Sequence, residues 1–163
     1  MTLMLDKVQE FFFKAMIQGW ASGAPAVSFP ELPGFEGYTF NPPGQGLLSL
    51  RDCFTGAGEK FFGTTTIWRE KNPIWMMHYQ GWYKKGAEPL LRRALLEAYS
   101  KGIFLGGRGL DMIDPATNLD YHNISPGSRF TQFRGYEKII TRGCNSDIKG
   151  ECFFQGRALI PMW

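Results

Sequence analysis

The stretch Phe61-Phe62-Gly63-Thr64-Thr65-Thr66-Ile67 returns seventy-two positions later as Phe133-Arg134-Gly135-Tyr136-Glu137-Lys138-Ile139, so both obey Phe-x-Gly-x-(Thr/Glu)-x-Ile. Each copy leads to a second mark, Tyr79-Gln80-Gly81 after 18 residues and Phe154-Gln155-Gly156 after 21. Two matched marks in the same order predict a duplicated unit, and repetition constrains architecture before any local reading does.

Around the first copy the sequence reads as three strands, Leu47–Phe54, Lys60–Arg69 and Ile74–Tyr83. They are separated by the turn-forming runs Thr55-Gly56-Ala57-Gly58 and Glu70-Lys71-Asn72-Pro73. Around the second copy Leu119–Ile124, Phe130–Arg142 and Gly150–Ile160 carry the same signal. Each triplet follows a helix. Leu5, Val8, Phe12, Ala15, Met16 and Gly19 recur at steps of three and four within 3–20, and Leu91, Ala94, Leu95 and Ala98 do so within 88–101, where Pro89 suits a first helical position and Gly102 a stop. The expected fold class is therefore α+β: a duplicated α-βββ unit forming a six-stranded antiparallel sheet with two helices packed on one side. It forms a single domain over 1–163, with halves at about 1–83 and 86–160. Five prolines between Ala21 and Gly46 predict a long irregular connection, packed through Phe29, Phe35, Tyr38 and Phe40 and suited to close a binding site.

Composition narrows the class. A chain of 163 residues buries roughly 70% of the surface its unfolded form exposes, and 44% hydrophobic with 20% charged residues is ordinary for a globular domain. The 15% aromatic content and 20 glycines favour turn-rich β structure. Net charge is +3, and the basic residues are dispersed along the chain without a cluster alternating with aromatics, so direct nucleic-acid binding is not expected. No apolar run reaches the 18 or so residues of a membrane span. The three cysteines, Cys53, Cys144 and Cys152, have no Cys-x-x-Cys spacing, and the start Met1-Thr2-Leu3-Met4-Leu5-Asp6 has no secretory pattern, so a reducing cytoplasm is the expected setting.

Period-two alternation puts Phe133, Gly135, Glu137 and Ile139 on one strand face, and Phe61, Gly63, Thr65 and Ile67 on the matching one, with Thr65 at the place of Glu137. A carboxylate among apolar neighbours is disfavoured in its charged form unless a cation or donors meet it. Glu137 is therefore either an acid, base or ligand anchor, or a structural group paired with an arginine such as Arg108. Trp75, Met77 and Tyr79 share one face of their strand, with His78 opposite; such aromatics either wall a small-molecule pocket or simply fill a core. Gly106-Gly107-Arg108-Gly109 lacks the Lys-Ser/Thr of a phosphate loop and reads as a flexible turn, while Asp52 reads as a turn cap at a strand end. His78 and His122 have no ligand-like spacing, so no metal site and no cofactor are expected.

These residues resemble a bacterial domain family of unknown function that also occurs as the C-terminal part of some Xre-type helix-turn-helix regulators. The resemblance covers most of the chain. It rests on Asp52 and Gly56, on Phe61, Gly63, Thr65 and Ile67, on Pro73, Trp75, Met77, Tyr79 and Gly81, on Arg108-Gly109, and on Phe133, Gly135, Glu137 and Ile139. Thr65 departs from the Glu that is usual in the first copy, and only one helix precedes the irregular segment. The functional expectation is a domain that binds or senses a small molecule through Glu137, Arg108, Trp75, Tyr79, His78 and Thr65. The alternatives are an enzyme of hydrolase or isomerase type using Glu137 as acid or base, and a structural or partner-binding module.

Overall fold

The computed structural model describes residues 2–42 and 47–159. Helix α1 (Thr2–Ile17) leads through a 3-10 turn (Trp20–Ser22) into five strands: β1 (Val27–Ser28), β2 (Glu36–Phe40), β3 (Leu48–Ala57), β4 (Lys60–Arg69) and β5 (Asn72–Tyr83). A second 3-10 turn (Lys85–Ala87) and helix α2 (Glu88–Lys101) precede β6 (Met112–Asp114), β7 (Leu119–Ile124), β8 (Gln132–Thr141) and β9 (Cys144–Ala158). All nine strands form one sheet in the order β1-β2-β3-β4-β5-β9-β8-β7-β6, with every neighbouring pair antiparallel. The chain builds one half outside-in, crosses by α2 to the far edge, and returns until β9 docks on β5 in the middle.

This overturns the six-stranded sheet and its duplicated unit. The halves contribute five and four strands, and the 21–46 connection, read as irregular, instead adds β1 and β2 to one edge. Prolines do not prevent this. None of them falls within β1 or β2, so they limit the added strands to two and five residues without removing a ladder N–H. Within that connection, positions 43–46 lie outside the described residues, as does Ile160 at the end of the last predicted strand. Strand β6 was missed because three residues carry no readable periodicity.

The repeated marks have a local reason. Gly63 on β4 lies opposite Tyr79 on β5, and a Cβ there would come within 2.2 Å of the Tyr79 ring. Gly135 on β8 lies opposite Phe154 on β9, where a Cβ would come within 2.4 Å of that ring. In each mark the glycine makes room for an aromatic side chain to lie flat across the neighbouring strand.

Both helices cover the same face of the sheet, here called the inner face. Phe12 of α1 packs on Trp75 of β5 at 5.0 Å between ring centroids and on Tyr99 of α2 at 6.0 Å. Val8, Phe11, Phe12 and Ala15 bury one side of α1, and Leu90, Leu91, Ala94, Leu95, Ala98 and Tyr99 one side of α2. Pro89 stands in the first turn of α2, and Gly102 ends it in the left-handed conformation that a Cβ disfavours. Trp75, Met77 and Tyr79 face this core, whereas His78 is exposed on the outer face.

Candidate functional site

Three carboxylates are buried on the inner face; Asp114 on β6 is paired with Arg93 of α2 and bonded by Thr117, and the other two lie nearer the centre of the sheet. Glu137 on β8 has no exposed surface and receives four donors, which use all its lone-pair positions. Arg108 binds both oxygens, Nε to Oε2 at 3.0 Å and Nη2 to Oε1 at 2.5 Å. The hydroxyls of Tyr83 and Tyr121 donate to Oε1 and Oε2 respectively, the latter at 2.5 Å. The bidentate fork is the strong form of this pairing. Burial pulls the Arg108 guanidinium down, but the Glu137 charge, its hydrogen bond and neighbouring groups together outweigh burial and hold Arg108 well above its ordinary pKa. Burial and the same carboxylate push Tyr83 and Tyr121 well above theirs, so both hydroxyls stay protonated as donors.

Arg108 reaches this position because residues 106–109 are a packed segment, not the expected flexible turn; all four are buried. Gly106 and Gly107 take positive φ values of 65° and 74°, and a Cβ on Gly106 would meet the Phe154 ring at 2.3 Å. Tyr99 anchors the segment by donating to the Gly107 carbonyl at 2.9 Å, and the Gly109 N–H donates to the Tyr121 hydroxyl at 3.0 Å.

Asp52 is the second carboxylate. It lies within β3, facing inward between Leu50 and Phe54, and is not a turn cap. Its Oδ1 accepts from the Thr65 hydroxyl at 2.7 Å and the Tyr79 hydroxyl at 2.8 Å, while its Oδ2 has no hydrogen-bond partner among the described residues. Burial raises the Asp52 carboxyl above its ordinary range against the opposing pull of both hydrogen bonds and the Arg108 charge. Burial, with Asp52 adding to it, pushes the Tyr79 hydroxyl well above its ordinary pKa and keeps it protonated.

A cleft of about 940 Å³ opens between this face and the helices. Asp52, Tyr79, Tyr83, Tyr99 and Arg108 line its depth, and Phe54 and Phe61 extend the floor. Met16, Trp20, Tyr38 and Phe40 form the wall contributed by α1, the turn after it and β2. Arg92 pins that wall, donating to the Trp20 carbonyl with its guanidinium 3.8 Å from the Trp20 ring centroid.

The predicted residues therefore separate. Arg108 and Tyr79 meet at the cleft, with the guanidinium 5.6 Å from the Tyr79 ring centroid. Thr65 stands directly behind Asp52, and Glu137 directly behind Arg108. Trp75 is away from the cleft, stacked on Phe130 and Phe133 with its indole N–H donating to the Phe130 carbonyl at 2.9 Å. His78 faces outward beside Thr64. Sequence reasoning missed Asp52 and Tyr83 as site residues, although the alternation that singled out Glu137 also places Asp52 with Leu50 and Phe54, and Tyr83 with Tyr79.

Among the described residues no group of three or more His, Cys, Asp or Glu could hold a metal, and no helix is long and apolar enough to cross a membrane. No curated protein and no solved structure matches the chain. Residues 52–158, which hold Asp52, Thr65, Tyr79, Arg108 and Glu137 but not the wall from α1 and β2, match the family described as a domain of unknown function, DUF5680, and the chain belongs to that family.

Proposed function

We propose that the chain is a small-molecule-binding domain whose ligand occupies the cleft above Asp52, Tyr79 and Arg108. One observation carries this reading: two buried, oppositely charged side chains line the same aromatic-walled space, and each retains a polar atom without a partner among the described residues, Oδ2 of Asp52 and Nη1 of Arg108. An apolar pocket with a few convergent polar groups suits a compact ligand. A donor or cationic group on the ligand would satisfy Asp52, and an acceptor or anionic group Arg108. Sensing is the natural use of such binding, given the likeness of the sequence to domains fused to Xre-type regulators. Three unpaired cysteines suit a cytoplasmic setting.

A catalytic reading has one specific support, and it concerns Asp52 and not Glu137. A carboxyl raised by burial and open to a cleft can exchange a proton with a bound molecule, whereas every lone-pair position of Glu137 is engaged.

Thermal denaturation against a library of amines, amino acids and small organic acids tests the binding. A compound present at a hundred times its Kd stabilises by about 2.7 kcal/mol, a Tm rise of about 5–10 °C for a chain of this size. Asp52→Asn should remove the response while the protein remains folded. A flat response across the library, or one that Asp52→Asn leaves unchanged, overturns the proposal.

A further inference from the structure

Among the described residues the outer face of the sheet carries no helix, and its centre combines exposed aromatic rings with basic side chains. Phe62 on β4, Gln80 on β5, Phe153 on β9, Tyr136 on β8 and Ile124 on β7 form one continuous cross-strand row. Phe62 is 43% exposed and Phe153 54%, high values for apolar side chains within strands, and Ile124 at the end of β7 is 49% exposed. Tyr136 supports Phe153 from the side, with centroids 4.8 Å apart, and is itself held by donating to Glu151 at 2.9 Å. Phe62 and Phe153 are two strand steps apart, about 10 Å.

Charge decides what fits there. Lys138 lies in the row on one side of the rings, Arg134 in the row on the other, and Arg157 one row further on, paired with Gln132 and Met76. Lys60 marks the end of β4, where it also borders the cleft mouth. None of the four forms an ion pair among the described residues. The acidic groups of the central strands' outer face are Glu151, engaged by Trp82 and Tyr136, and Asp120 towards the edge. An apolar protein partner would leave this positive charge uncompensated. A single nucleic-acid strand satisfies both parts, because its bases stack on rings while its phosphates meet lysine and arginine.

We infer that the outer face of strands β4, β5, β9 and β8 binds single-stranded nucleic acid, with Phe62 and Phe153 as stacking platforms and Arg134, Lys138 and Arg157 as phosphate contacts. The strand crosses the sheet and does not enter the cleft, so this site is independent of the small-molecule reading. The basic residues come from separate strands, which is why they look dispersed along the chain.

Fluorescence anisotropy of the intact protein with labelled ten-nucleotide RNA and DNA of mixed sequence tests the assignment. Binding is expected at low salt, with log K falling against log salt at a slope of about −2 for three phosphate contacts. Phe153→Ala and Phe62→Ala should each weaken it about tenfold. Lys101→Ala, on the helical side, should leave it unchanged, and all variants should keep the parent circular dichroism and Tm. Duplex DNA of the same sequence should bind more weakly, since paired bases present no free ring faces. Absence of binding at low salt, or affinity indifferent to both phenylalanines, overturns the inference. So does a concentration-dependent dimer abolished by Phe153→Ala, which would make this face a contact between copies of the chain.

Discussion

Asp52 and Glu137 are both buried carboxylates on the inner face of one sheet, and both accept tyrosine hydroxyls, yet their surroundings assign them opposite work. Glu137 is saturated: a guanidinium fork and two phenols fill its oxygens and it touches no solvent. Asp52 is half-dressed, with two donors on one oxygen, none on the other, and no cation in hydrogen-bond contact. The difference teaches that burial alone does not make a carboxylate a functional group. What matters is whether the protein itself has used up the bonding capacity of that group.

The largest expected effect comes from breaking the saturated site. Arg108→Met removes the guanidinium fork from a fully buried carboxyl group, a loss of about 3–5 kcal/mol, equivalent to a Tm fall on the order of 10 °C. Adding Glu137→Gln should recover part of that loss in urea denaturation, because a neutral amide takes the place of the carboxyl group while its oxygen can still accept from the buried tyrosines. A double variant no more stable than the single one would show that Glu137 is not the reason Arg108 is held.

Packing comes next. Gly63→Ala and Gly135→Ala each press a methyl against an aromatic ring and should cost about 1–3 kcal/mol. They should differ in one respect: Gly63→Ala also pushes Tyr79 off Asp52, so it alone should change the titration of Asp52 followed by NMR.

Asp52→Asn should act with the opposite sign. Because burial raises the Asp52 pKa, the folded state holds this proton more tightly than the unfolded chain does, and ionising the group costs stability above its folded pKa. The cost is absent below the unfolded value, about 4. The asparagine variant should therefore be more stable than the parent at pH 7, by on the order of 1 kcal/mol, with the gap closing as pH falls through the folded pKa and gone by about pH 4. A variant less stable than the parent at pH 7 would mean that Asp52, like Glu137, is a structural carboxylate. His78→Ala, on the exposed outer face, sets the baseline and should stay within about 0.5 kcal/mol.

Alternation along a strand is a local property, and the sequence by itself determined much through it: the positions of six long strands and two helices, the inward direction of Glu137, Tyr79 and Thr65, and the outward direction of His78. The likeness between the Phe61 and Phe133 stretches was also legible, but its cause was not. It reflects glycines that admit rings from neighbouring strands, and the strand pairings that require this are set far along the chain. Only the tertiary structure decided that β1, β2 and β6 extend the sheet to nine strands, since elements of two to five residues at an edge are stabilised by the neighbour they pair with more than by their own pattern. It alone decided that Arg108 meets Glu137 across 29 positions of sequence while Asp52 keeps an open oxygen at the cleft. It alone gathered Arg134, Lys138 and Arg157 beside Phe62 and Phe153. Hydrogen bonds and charges act through distances of a few ångströms, and those distances exist only once segments far apart in sequence have paired.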